Sequence, residues 1–368
     1  MRDDNPPARL AVLDAFRAIA ILAVLLHHYS SRWAPPDHPR NLYGYANDYP
    51  QWLDLGALGV QFFFMISGFV ILMTLERCSH LFEFWARRLA RLYPAYLAAT
   101  LLTFAIVNGF GPVEFHSSPG DVALGLAFLT TFIPGARFVE PAYWSLVVEM
   151  QFYFWIGLLY AVSRHRFVHV WCAFVLCGVA LWIAGAHESL HALRTISRYV
   201  LLAPYMPQFT AGILFYLLHA GRTRGCAELG AVALLAYCVT ASDQPVAHHL
   251  AHVGMVTAFL LFNAGHLRWL AARPLVFIGT VSYSLYLLHQ YLGVMLIGWL
   301  TREAHAPDLL AAATAALACV LLATLFKYTV EDRGKPAVMA MLASWLRARQ
   351  TGFQRLAFRQ LQPSPPVR

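Results

Sequence analysis

The first apolar segment of the chain, Leu13 to Trp33, carries Asp14, Arg17, His27 and His28 among residues that are otherwise mostly Ala, Ile, Leu and Val. A segment of this length reads as a membrane span, where an Arg near the centre costs roughly 2.5 to 3.5 kcal/mol on insertion scales. Side chains of that cost face a water-filled or protein-lined interior. The spacing of eleven between Arg17 and His28 is about three helical turns, so both project from nearly the same side at different depths. One face of the span is therefore polar from end to end, with a cation low on it and an imidazole high on it.

Three further stretches place polar groups in register. In FWARRLARLYPAY, residues 84–96, Arg88 and Arg91 stand three apart and share one helix face, a geometry suited to gripping phosphates or a pyrophosphate. Enforcement of topology by four inner-loop arginines explains the same residues, and both readings stand. Tyr93, Pro94 and Tyr96 read as an interface belt and a helix start. In PAYWSLVVEMQFYFW, Ser145, Glu149 and Tyr153 recur every four residues, a polar stripe on an aromatic and aliphatic helix. Glu149 lies well inside the span and needs a partner, and the stripe favours a functional role over a structural pairing. In FIGTVSYSLYLLHQY, Ser282, Tyr286 and His289 fall near one face. A lone membrane histidine is ordinarily a hydrogen-bonded core residue, and His289 is read as one. His248, His249 and His252 are expected in an outer loop without carboxylate or cysteine ligands, so chance explains them better than zinc.

The elements that must carry these groups are membrane helices. Of 368 residues, 59% are hydrophobic and 12% charged, against about 25% charged in soluble domains. The chain is predicted to be an all-α polytopic membrane protein. Apolar segments near 57–75, 95–110, 143–162, 168–186, 199–219, 227–241, 251–265, 275–300 and 308–330 follow the first span, for about ten transmembrane helices. Residues 121–134 are apolar but short and end in Pro134 and Gly135, which predicts a re-entrant or interfacial piece. With that piece not crossing and the N-terminus inside, 20 of the 27 basic residues fall on the inner side and six outside, leaving Arg17 within the first span. Both termini are thus expected in the cytoplasm.

The layout predicted is a cytoplasmic segment 1–12, a membrane domain 13–332 and a basic cytoplasmic tail 333–368. That tail carries Trp345, Leu346, Phe353 and Phe358, is suited to the anionic inner leaflet, and leaves no room for another soluble domain. The formal charge of +8 fits membrane lipids as partners, and nothing reads as a nucleic-acid module. The six cysteines lie singly, mostly in apolar segments, and read as packing residues. MRDDNPPARL lacks the order of a signal peptide, so the first span is expected to stay attached.

Six motifs in order, LDAFRAIAILAVLLHH, GALGVQFFFMISGFVI, FWARRLARLYPAY, WSLVVEMQFY, IGTVSYSLYLLH and KYTVEDRGKP, resemble the motif series of the acyltransferase 3 family over about residues 10–336. The resemblance implies a bacterial integral-membrane O-acyltransferase of the cytoplasmic membrane, moving an acyl group, most often acetyl, from acyl-CoA to a hydroxyl of a surface or secreted carbohydrate or glycolipid. Acetyl-CoA is then a donor substrate, and no permanently bound cofactor is expected. Carried onto this chain, the family's motifs match Arg17 and His28, Arg88 and Arg91, and Trp144, Ser145 and Glu149. Gln61 stands where the family often has Asp, and Ala15 and Ala18 where it often has Gly, which puts a charge role at position 61 in doubt. The family's optional esterase domain needs a long C-terminal extension, so the chain is expected to be the membrane module by itself.

Acyl transfer needs a base for the hydroxyl proton and an environment that tolerates an oxyanion. An imidazole of ordinary pKa, about 6.5, meets the first need near neutral pH. His28 is the expected base, with Glu149 or Asp14 setting its tautomer if the fold brings either near. Arg88 and Arg91 are expected on the CoA phosphates and Arg17 along the thioester route. Trp144, Ser145, Tyr153, Ser282 and Tyr286 are the candidate substrate contacts, and no metal is expected. Direct transfer and an acyl-His28 relay both remain open. The rival readings are a transporter or flippase of a glycan or lipid-linked intermediate, in which polar membrane residues are also ordinary, and an inactive sensor or scaffold.

Overall fold

The computed structural model describes residues 8–30, 51–342 and 344. Residues 1–7 and 345–368 lie outside them, so the expectations for the N-terminal segment and for Trp345, Leu346, Phe353 and Phe358 fall outside the described residues. All regular structure among the described residues is helical. Helices α1 (Ala8–Ser30), α2 (Gly59–Glu76), α3 (Leu81–Phe110), α5 (Trp144–Val162), α6 (Phe167–Ala184) and α10 (Val246–Asn263) are joined by α13 (Asp308–Phe326), which runs on through a π-helical turn, Lys327–Glu331. These seven are long and apolar enough to cross a membrane. Shorter helices lie between them: α4 (Pro119–Leu126), α7 (His191–Tyr199), α8 (Met206–His219), α9 (Cys226–Thr240), α11 (Arg273–Leu288) and α12 (Gln290–Arg302).

Several boundaries differ from the sequence reading. The RxxR stretch, expected as a loop with a helix starting near Pro94, is part of the continuous α3, with Pro94 inside it. Proline removes one helix hydrogen bond and crowds the carbonyl four residues back. Residues after the π-helical turn bring Gly334 against the Pro94 ring, and nearby Tyr283 Oη donates to Leu92 O at 2.8 Å. The span expected at 199–219 is helical only as α8, Met206–His219, with α7 ending at Tyr199 before it, and the one at 275–300 breaks at His289 into α11 and α12. His248, His249 and His252 sit not in a loop but in the first two turns of α10. The 121–134 segment forms the eight-residue α4 and the 3-10 turn Thr130–Phe132. A capping box of Ser118 and Asp121 starts α4. Burial works against ionisation of Asp121, but the N–H groups of Arg137 and Ser118 and the Ser118 hydroxyl outweigh it and hold the carboxyl below its ordinary range.

Helix association in lipid gains little from the hydrophobic effect and depends on close packing through small residues. The two tightest contacts follow this rule. Gly68 of α2 and Gly212 of α8 lie backbone to backbone, so a Cβ on Gly212 would run into Met65 O and one on Gly68 into Phe209 O. Gly279 of α11 presses on Asp14 O of α1 in the same way. Valine at position 212 is therefore expected to cost about 1 to 3 kcal/mol through overpacking. Heating detergent-solubilised protein and following the folded fraction by size exclusion should show a lower melting temperature for Gly212→Val; an unchanged one would mean that the pair can separate freely.

Candidate active site

Five helices line a cavity of about 100 Å³ to which each contributes polar groups. Helix α1 contributes Arg17, α2 Ser67, α3 Arg88 and Arg91, α5 Ser145, Glu149 and Tyr153, and α11 Ser282 and Tyr286. The four-residue spacing on α5 puts its three polar groups on one stripe facing inward. Ser67 Oγ and Tyr153 Oη both donate to Glu149 Oε1. Arg17 is ion-paired with Asp14 one turn below it on α1. Arg88 is 8% exposed, reaches Thr74 Oγ1 only at 3.4 Å, and its Nε has no hydrogen-bond partner among the described residues. Three guanidinium groups thus face a cavity that contains one carboxylate.

A second cavity, about 240 Å³, is lined by His27, His28, Trp144, Gln290, Ala142 and Pro141, and it shares Val60 and Tyr286 with the first. Tyr286 is the partition. Its hydroxyl donates to Ala142 O at 2.8 Å and lies 2.6 Å from Ser145 Oγ, which closes the gap between α11 and the start of α5. On the far side His28 Nδ1 is 2.8 Å from His289 Nε2, with the ring centroids 5.0 Å apart and the ring planes 24° apart, an edge-to-edge approach. His27 Nδ1 lies 3.7 Å from Asp54 Oδ1.

Every sequence-predicted site residue except Asp14 lines one of these two cavities. Neither expected orienter of His28 reaches it. Asp14 is fourteen residues earlier on the same helix, about 21 Å along its axis at the usual rise, and its carboxylate holds Arg17. The hydrogen bonds of Glu149 go to Ser67 and Tyr153, which line the other cavity with it. His289, read from sequence as a core residue, is the group beside His28. Glu140 and Tyr143 were also not singled out. Glu140 is fully buried and accepts the Tyr291 N–H at 3.1 and 3.2 Å, and Tyr143 Oη donates to Leu287 O at 3.0 Å. The only sequence signal for these two was a Glu immediately before an apolar span.

Gln61 lies outside both cavities. It bonds His252, and Gln208 Nε2 donates to its Oε1 at 3.2 Å, so the position holds a neutral amide network between α2, α8 and α10.

The architecture is that of a polytopic helical protein in which arginines and partly buried imidazoles line adjoining cavities within one bundle. Residues 10–328 match the model of the Acyltransferase domain family, acyltransferase 3, and the chain belongs to that family. It is 26% identical over 324 residues to the O-acetyltransferase OatA of Staphylococcus aureus, an alignment covering 77% of this chain and 50% of OatA. The Acyltransferase MdmB of Streptomyces mycarofaciens is 29% identical over 312 residues, 74% of this chain and 80% of MdmB. The Putative peptidoglycan O-acetyltransferase YrhL of Bacillus subtilis is 26% identical over 325 residues, 75% of this chain and 47% of YrhL. The chain spans about half the length of OatA and YrhL. No solved structure matches it.

Proposed function

We propose that the chain is an integral-membrane O-acyltransferase that moves an acyl group, acetyl first among candidates, from acyl-CoA to a hydroxyl of a carbohydrate or glycolipid acceptor. The observation that carries the reading is the partition at Tyr286, with an arginine-lined cavity on one side and the His28 cavity on the other. A donor with a polyanionic end and a reactive thioester end suits the first; a neutral hydroxyl acceptor suits the second. The orphaned Nε of Arg88 fits such a donor, since a buried N–H without an acceptor costs about 1 to 3 kcal/mol and an anionic oxygen supplies one.

Arg88 and Arg91 then hold the CoA phosphates, while Arg17, oriented by Asp14, lines the thioester route. Glu149, Tyr153 and Ser282 position the acyl arm, and Trp144 and Ser145 border the point where the two substrates meet. His28 takes the acceptor proton as the hydroxyl oxygen attacks the thioester carbon. The tetrahedral adduct collapses with C–S cleavage, and the imidazolium returns that proton to the leaving thiolate, giving ester and free CoA. Direct transfer of this kind needs the Ser145–Tyr286 contact to open.

Counted with α8, α9 and the broken α11–α12 unit, the seven long helices make ten crossings with both termini cytoplasmic in a bacterial inner membrane. That topology gives the arginines access to cytoplasmic CoA and puts His28 toward the outer half. The carbohydrate acceptor is supported by the relatives named as O-acetyltransferases, one of them of peptidoglycan. The direct test is label transfer from acetyl-CoA into host glycan by protein in nanodiscs. Glycan-bound label, with stoichiometric release of free CoA, is the expected result; a folded sample that consumes no acyl-CoA of any chain length would overturn the reading.

A further inference from the structure

We infer that His289 is a positioning residue that locks His28 in the tautomer bearing its lone pair on Nε2. The inference rests on the acyltransferase reading for its consequence, but on hydrogen-bond geometry for its content. His289 Nδ1 lies 2.9 Å from Tyr286 O. A carbonyl can only accept, so that nitrogen carries a proton. His289 is fully buried, and the hydrogen bonds of its ring are to Tyr286 O and to His28. A buried cation there would lack an anionic hydrogen-bond partner, so the ring is neutral and its Nε2 holds a lone pair. The atom 2.8 Å from this lone pair, His28 Nδ1, must therefore donate. Neutral His28 has only one ring proton, and it is spent at Nδ1. The basic nitrogen is Nε2.

The backbone explains how His289 comes to be aimed this way. An uninterrupted helix would carry it past α1 in a continuous ladder. Instead α11 stops at Leu288 and α12 starts at Gln290, and side chains from elsewhere satisfy the break. Glu140 takes the Tyr291 N–H and Tyr143 Oη donates to Leu287 O, the two groups a continuous ladder would have joined, while His289 O accepts both the Gly293 N–H and, at 2.7 Å, Tyr29 Oη. His289 keeps helical dihedrals, so only the hydrogen-bond ladder is interrupted, and backbone groups released at membrane depth must be satisfied within the protein in this manner. The last turn of α11 still has carbonyls without helix partners, and Tyr286 O is the one that accepts from the imidazole.

The experiment compares His289→Leu with His289→Gln in the nanodisc transfer assay, together with solid-state 15N spectra of histidine-labelled protein. Glutamine keeps an acceptor for His28 Nδ1–H; leucine removes it. His289→Leu is expected to lower kcat by about tenfold or more, with KM for acyl-CoA within twofold, because a misassigned tautomer presents a proton where a lone pair is needed. His289→Gln should recover most of the loss. In the unaltered protein, the His28 signals should show Nδ1 protonated and Nε2 bare. Full activity in His289→Leu, no advantage of Gln over Leu, or a His28 spectrum with Nε2 protonated would each overturn the inference. The spectrum is read without turnover. A correct tautomer in a protein that transfers no acyl group would therefore count against the acyltransferase reading and leave the tautomer assignment intact.

Discussion

Replacing His28 with alanine is expected to reduce acyl transfer by about 10²- to 10⁴-fold, the usual contribution of a positioned general base. The loss should appear in kcat, with the apparent affinity for acyl-CoA nearly unchanged, because the arginines that grip the donor line the other cavity. The protein should remain folded. His28 is only partly buried and its ring borders a void, so truncation enlarges a cavity instead of emptying a packed core. His27→Ala is the matched control. Its ring lines the same cavity, but its described ion-pair partner is Asp54, not His289, and it is expected to lower kcat far less. Steady-state rates of CoA release for the two variants, in the same nanodiscs, check the prediction. Equal losses would assign both imidazoles to the cavity's general polarity and neither to base chemistry.

The second large effect belongs to Arg88 and Arg91. A hydrogen bond to a charged group is worth about 1.5 to 3 kcal/mol, and 1.4 kcal/mol is a factor of ten. Arg88→Ala combined with Arg91→Ala is thus expected to raise KM for acyl-CoA by about 10²-fold or more, with a smaller change in kcat. Lysine should restore little at either position, since it offers no fork for two phosphate oxygens. The same double variant should lose its preference for acetyl-CoA over an acyl-pantetheine that lacks the phosphates. If KM is unchanged and only the yield of correctly inserted protein falls, the pair serves topology alone.

Much of the candidate site was legible because ionisable groups stand out in apolar spans. Arg17, Glu149 and His28 each carry an insertion cost that a purely structural helix avoids, Arg88 and Arg91 were marked by their three-residue spacing in an inner stretch, and four-residue spacing predicted the α5 stripe. The division of those residues between two cavities was not legible. Tyr286 divides them through contacts to Ala142 and Ser145, more than 140 residues away in sequence. The break at His289 was hidden for a related reason. Residues on both sides of it are equally apolar, so periodicity runs straight through, while the groups that satisfy the interruption come from Glu140 and Tyr143. Pro94 misled in the opposite direction, marking a helix start where α3 continues. Propensity is a weak prior, and the packing of Gly334 on the proline ring overrides it here.

The fold class followed from composition alone, whereas the assignment of individual crossings depended on elements shorter than a full span. Helices α8, α9 and α12 have 14, 15 and 13 residues, near the length where a buried core helix and a membrane crossing look alike. Loop charge was the additional information, and it acts on orientation, not on where each helix ends.

On the proposed mechanism acyl groups pass from a donor cavity lined by Arg88 and Arg91, across Tyr286, to a hydroxyl at His28 on the opposite side. Sealed proteoliposomes of known protein orientation, with carbohydrate acceptor enclosed and labelled acetyl-CoA added to the face bearing α3's N-terminal end, measure that directly. Label on the enclosed acceptor, free CoA outside, and neither in His28→Ala vesicles is the expected result. Label confined to acceptor on the same face as the donor, at the same rate with or without His28, would contradict it.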